Sequence, residues 1–285
     1  MGLIDSILNL AGVLLWLGWR STGLDPLVKA TPATLIGTLR RAEPRRLRGW
    51  QLLAALAALL VLRGLLYQQI GPEAEWTPKL NLFVVVLAFR GNLFLPALLF
   101  SVLSFLRLLI ICYFWLLALA VINGRSAAAD PVLRLVRLHL GPVARWPGQL
   151  QACLPLLAVA GLWMALHPLL AQLEITGRVH SVARVAGQGL LVGVTLYLTL
   201  QYLLPLFLLL HLMASYVYLG ANPLWEFVHT TARNLLAPLE RMPLRVGRFD
   251  FAPLVGVVLI LLLLHWVPSL IVRRMAQADV SLWPQ

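Results

Sequence analysis

Residues 221–255 read ANPLWEFVHTTARNLLAPLERMPLRVGRFDFAPLV and lie between two long apolar runs. An Asx side chain can accept a backbone N–H at a helix start, and Pro in the first helical position gives up no hydrogen bond. Asn222-Pro223 therefore predicts a helix beginning at Pro223. Between Pro223 and Ala237, the residues Leu224, Phe227, Val228, Thr231, Leu235 and Leu236 recur at helical spacing, with Glu226 and Arg233 elsewhere. That pattern predicts a short amphipathic helix lying on a membrane surface. Pro238 and Pro243 end it, because each pushes the residue before it out of the helical region. Asp250 is then placed to cap the next apolar run, which carries Pro253 near its start.

The flanking runs set the class. The chain has 285 residues, of which 60% are hydrophobic and only 12% charged, with a mean hydropathy of +0.85. A soluble domain cannot wet its surface with so few polar groups, so the chain is read as an integral, all-α membrane protein. About 20 apolar residues cross the hydrocarbon. Six candidate transmembrane helices follow, near residues 4–19, 50–69, 93–122, 150–171, 190–219 and 251–271. The first is short and has no basic leader region, and it is read as a retained helix. The apolar run from Leu80 to Ile122 is too long for one crossing and is interrupted at Arg90, Gly91 and Asn92. Its first part is expected to lie at the interface or to re-enter, as is the segment RVHSVARVAGQG before the fifth span.

Charge gives an orientation. Of the 23 Lys and Arg residues, fifteen fall in the loops after the first, third and fifth spans and five on the opposite side, while Arg63, Arg90 and Arg107 lie within apolar runs. The basic loops are expected to be cytoplasmic and both termini outside. The net charge of +12 is then a consequence of topology, and no nucleic acid partner is expected.

The three basic loops look like copies of one another. Each opens on an Asx-Pro pair: Asp25-Pro26, Asp130-Pro131 and Asn222-Pro223. Further on, LGPVARWPGQLQACLPLL pairs Pro142 with Pro238, Arg145 with Arg241, Pro147 with Pro243 and Pro155 with Pro253. The first copy keeps only Arg41 and Pro44, and the second carries Ala152 where the third carries Asp250. The expected organisation is three two-helix repeats with amphipathic connecting helices, over residues 1–78, 79–172 and 173–285.

With Asn222-Pro223, the Pro238-Leu239-Glu240-Arg241-Met242-Pro243 core and Asp250-Phe251-Ala252-Pro253 in place, the third unit resembles the YggT family (YlmG-like) of bacterial and plastid membrane proteins. The likeness covers residues 195–270 well, the second unit in part and the first faintly. It implies a non-enzymatic scaffold or assembly factor in cell-envelope organisation or membrane-complex assembly, placed in a bacterial inner membrane. Its expected partners are the lipid bilayer and other membrane proteins or a second copy of itself. The resemblance makes Asn222, Pro223, Pro238, Arg241, Pro243, Asp250 and Pro253 the candidate motif or partner-binding residues.

The residues give no independent sign of catalysis. No HExxH, GxSxG or P-loop is present, and no acidic residue falls in the middle of a span, where a proton-coupled carrier usually keeps one. Cys112 and Cys153 have no paired spacing, so neither a disulfide nor a metal framework is expected. His167, His211 and His265 lie in the last three spans. Two imidazoles on facing helices could hold a haem or metal, but each His is single and no cofactor is expected. Arg63 and Arg90 are expected to reach an interface by snorkelling. Arg107 is more central, and with His211, Gln188 and Gln201 it defines the alternative reading, a channel or small-ion transporter for osmotic stress.

Overall fold

A computed structural model describes residues 2–24, 49–73, 77–82, 85–124, 130–177, 179, 181–217, 222–239, 245–246, 249–250 and 252–277. Among the described residues the protein is all-α apart from two short two-stranded sheets. Five helical segments among the described residues are long and apolar enough to cross a membrane: Leu3–Thr22, Gly49–Gly71, Phe94–Ile122, Gly148–Gln172 and Val182–Ser215. Their outward faces carry large apolar side chains such as Leu14, Leu62 and Leu157, which suits lipid rather than water.

The chain forms two compact units, one of residues 1–80 and 88–110, the other of residues 81–87 and 111–285. In the first, helix α1 (Gly2–Leu24) packs against α2 (Gly49–Glu73), and the early turns of α3 (Phe94–Ile122) complete it. Before α3, strands β1 (Lys79–Asn81) and β2 (Val86–Ala88) pair, and the Phe89 N–H donates to the Pro78 carbonyl at 2.9 Å. The described part of the apolar stretch expected to lie at the interface or re-enter thus pairs its backbone between two short strands.

The second unit contains α4 (Pro131–Leu140), a 3-10 turn (Gly141–Arg145), α5 (Gly148–Gln172), α6 (Val182–Leu198), α7 (Leu200–Tyr216), α8 (Pro223–Leu236) and α9 (Ala252–Gln277). The expected cap chemistry is present twice. The Asp130 carboxylate accepts from the Val132 and Leu133 N–H groups at 2.8 and 3.3 Å, and the Asn222 amide oxygen accepts from Leu224 at 3.1 Å. Pro131 and Pro223 each open a helix. With 10 residues in α4 and 14 in α8, the two connectors differ by about one helical turn. A whole-turn difference leaves the buried face in place. Leu133 and Phe227, one from each connector, pack in a single apolar cluster with Leu119 and Leu203.

The fifth span departs from its expected bounds. Helix begins at Val182, not near residue 190, and what was expected to be interfacial is the first part of α6. α6 and α7 meet at Thr199, whose φ and ψ of −66° and −18° remain helical while its N–H bonds only three residues back, to Leu196. Pro205 lies one and a half turns further on, where it removes a donor and crowds the preceding turn. The Thr199 hydroxyl donates to the Leu196 carbonyl and accepts the Trp115 indole N–H at 3.1 Å, which fixes the break in place.

Against α5, α6 is held at close range. A Cβ on Gly189 would stand 2.9 Å from the Ala160 carbonyl oxygen, and one on Gly193 would stand 2.8 Å from that of Leu156. The glycines are four residues apart and face residues four apart on α5, the small-residue seam by which membrane helices approach. The sixth expected span falls in α9, whose described apolar stretch is Ala252–Leu263.

Candidate functional site: the motif helix and the buried polar contacts

α8 opens on the motif pair Asn222-Pro223. Phe227, Val228, Thr231, Ala232 and Leu236 are buried, as a helical stripe requires. Leu208 of α7 and Val257 and Ile260 of α9 pack with Ala232 and Leu236 in one apolar cluster. Leu224 was expected on this buried stripe, but it is 51% exposed. As the second helical residue it sits where the chain enters the helix. Glu226, His229 and Arg233 share the exposed side.

A polar contact locks the buried side. The Asn123 amide nitrogen, just past the end of α3, donates to the Thr231 hydroxyl at 2.9 Å and to the Leu119 carbonyl at 3.0 Å. Its oxygen accepts from Asn234 at 2.9 Å, and the Thr231 hydroxyl donates to the Phe227 carbonyl at 2.8 Å. Asn123 and Thr231 are 1% and 0% exposed. Both are satisfied, so the network rigidifies the contact instead of straining it.

The remaining motif residues divide. Pro238 lies in the turn directly after α8, where it was expected to end the helix. Pro253 is buried at the second position of α9. Arg241 and Pro243 lie outside the described residues, as does the first copy of the loop with Asp25, Pro26, Arg41 and Pro44. Asp250 was expected to cap the last span. Its backbone pairs with Arg245 in a two-stranded sheet of β3 (Arg245–Val246) and β4 (Phe249–Asp250), α9 starts two residues later, and its side chain lies outside the described set. In the second copy, the Ala152 carbonyl accepts a hydrogen bond from the Tyr197 hydroxyl.

His211 has a partner that sequence spacing did not single out. Its Nδ1 is 2.9 Å from Nδ1 of His229, with ring centroids 4.6 Å apart, so α7 and the exposed side of α8 meet through two imidazoles. At that separation one ring donates and the other accepts. His229 lies outside every apolar run, which is why a search of the spans passes over it. His167 is buried beside Trp163, and its Nε2 has no hydrogen-bond partner among the described residues. The side chain of His265 is outside the described set. Gln188 is buried and accepts from the Trp163 indole at 3.4 Å, so it serves the α5–α6 contact. Among the described residues, no three His, Cys, Asp or Glu side chains come together to hold a metal ion.

The first unit holds a separate polar cluster, and here the snorkelling expected of Arg63 is corrected. Arg63 is 1% exposed. Its guanidinium donates to Asn9 at 2.6 Å, to the Tyr67 hydroxyl at 2.9 Å, to Asp5 at 3.0 Å and to Ser104 at 3.1 Å. Tyr67 also donates to Asp5, and Asn9 to Ser104 at 2.9 Å. Internal partners replace water, which removes the need to reach an interface. Asp5 lies in the first turn of α1, where a carboxylate also meets the positive end of the helix dipole. Arg107 is half-buried in α3, within this first unit.

No known family model matches the chain, and neither a curated protein nor a solved structure matches it.

Proposed function

We propose that this protein is a non-enzymatic membrane scaffold or assembly factor built of YggT-like units, with α9 as the sixth crossing and the basic connectors on the cytoplasmic side of a bacterial inner membrane. The observation that carries the reading is the state of α8. Its buried face is fixed by Asn123, Thr231 and Asn234, and His229 is tied to His211 of α7, while Leu224, Glu226 and Arg233 face outward. A helix held rigidly by one face and open on the other is preorganised to receive a partner, because little further ordering is needed on binding. At 26 residues, α9 is long enough to cross at about 1.5 Å per residue. The order of span, Asx-Pro-capped connector and following helix occurs at both α3–α4–α5 and α7–α8–α9, which favours a repeated unit.

The experiment is reconstitution of the full chain into sealed liposomes. Permeation of sodium, potassium, chloride and protons should match that of protein-free liposomes. Flux above that level which falls on Arg107→Gln would replace the scaffold by a channel.

A further inference from the structure

The connector between α3 and α5 encloses a groove of about 880 Å3 that the scaffold reading does not use. Among the described residues, three guanidinium groups line it and no acidic side chain does. Arg134 and Arg137 are three residues apart on α4 and so share a face. Arg145 joins them because the chain folds back through the 3-10 turn. The Trp146 N–H donates to the Val143 carbonyl at 3.2 Å, and the Gln151 side chain donates to the same oxygen at 2.9 Å. Asp130 is the nearest acidic residue in sequence, and its carboxylate is committed to the start of α4. Among the described residues, no carboxylate pairs with any of the three arginines.

The groove lies between the last turns of α3 and the first turn of α5, both long and apolar enough to span a membrane. This is the level at which lipid headgroups sit. Val121 and Leu138 supply apolar wall, and Trp146, 46% exposed, stands at the rim as interfacial tryptophans do. We propose that this groove binds one anionic phospholipid, its phosphate held by Arg134, Arg137 and Arg145 and its glycerol and upper acyl chains against Val121 and Leu138. Guanidinium groups match phosphate oxygens in geometry as well as charge, and basic pockets beside membrane helices select anionic headgroups. A purely topological role for these arginines requires only their charge on one side of the bilayer and makes no selective site.

The test is native mass spectrometry of the full chain released from phosphatidylcholine nanodiscs doped with phosphatidylglycerol. The protein should retain one phosphatidylglycerol in preference to phosphatidylcholine. The triple variant Arg134→Gln, Arg137→Gln, Arg145→Gln should lower that retention about tenfold or more, whereas Arg233→Gln on α8 should leave it unchanged. Equal retention of the two lipids by the unaltered protein, or unchanged retention by the triple variant, would overturn the site. Displacement of the lipid by millimolar glycerol 3-phosphate would show that a soluble phosphate is the ligand and would overturn the lipid assignment. Should the triple variant fail to fold, the unaltered protein still decides: its preference for phosphatidylglycerol must be present at low salt and weaken as salt rises.

Discussion

Nη2 of Arg63 lies 3.0 Å from Oδ1 of Asp5, joining α1 to α2 within two segments that are each apolar enough to span a membrane. An unpaired arginine at the centre of a bilayer costs about 2.5–3.5 kcal/mol on insertion scales. The Asp5 carboxylate, with Asn9, Tyr67 and Ser104, offsets that cost by satisfying the guanidinium internally. The helix with the weakest apolar character thus supplies the charge that its neighbour needs.

Removing one partner should therefore hurt more than removing both. Asp5→Ala leaves Arg63 buried and uncompensated, with an expected loss of about 3–5 kcal/mol. The double variant Asp5→Leu, Arg63→Met should recover most of it. Thermal unfolding in detergent, followed by circular dichroism, measures both, and a double variant as unstable as Asp5→Ala would show that the pair is not the source of the loss.

The Asn123 contact predicts a smaller, graded effect. Asn123→Ala removes the hydrogen bonds to the Thr231 hydroxyl and from the Asn234 amide, at about 1–3 kcal/mol. Asn234→Ala should cost less, because it removes one of these contacts and leaves the Asn123–Thr231 hydrogen bond in place. Proteolysis of the α8 segment in the intact protein should rise in the same order. Equal sensitivity of the two variants would mean that Asn123 does not hold α8.

At the α5–α6 seam the expectation is steric. A Cβ alone would meet backbone oxygens at 2.9 Å over Gly189 and 2.8 Å over Gly193. Gly193→Leu should force the helices apart and destabilise by roughly 1–3 kcal/mol or more. Gly161→Leu, on α5 with open space above it, should be tolerated. A cysteine pair engineered across the seam should lose its disulfide in the Gly193→Leu protein, and retained cross-linking would contradict the packing.

The parts of this fold legible in the sequence are those set by near neighbours. Asp130 and Asn222 announce their helices because a cap needs only the next three residues, and the spans announce themselves by continuous hydropathy. What escaped reading depends on distant partners. Arg63 is 58 residues from Asp5, so its burial is invisible until the helices pack. His229 looks like a polar residue on a surface helix until α7 brings His211 to it. Gly189 and Gly193 did carry a local signal, a small-xxx-small spacing in an apolar segment, that hydropathy alone passes over. The strand pairing of Arg245 with Asp250 had no signal in the sequence, because two residues on each side are too few to show an alternating pattern.

Orientation has its own check. In a protein with Cys112 and Cys153 changed to Ala, a cysteine at the exposed Glu226 of α8 should be protected from an impermeant thiol reagent in intact cells. One at Gln172, the exposed last residue of α5, should label. The reverse pattern would put the basic connectors outside and contradict the charge rule for this chain.

The central claim is that the outward face of α8 meets a protein partner, and a photo-activated cross-linker placed there tests it most directly. Incorporated at Leu224 in native membranes, the probe should give a discrete adduct with another protein or a second copy of the chain. The same probe at Leu263, 65% exposed on apolar α9, should give lipid adducts. The Leu224 adduct should weaken when Asn123→Ala loosens the helix. Lipid adducts alone from Leu224 would contradict the account, since they would make α8 a surface-lying helix with no partner to scaffold.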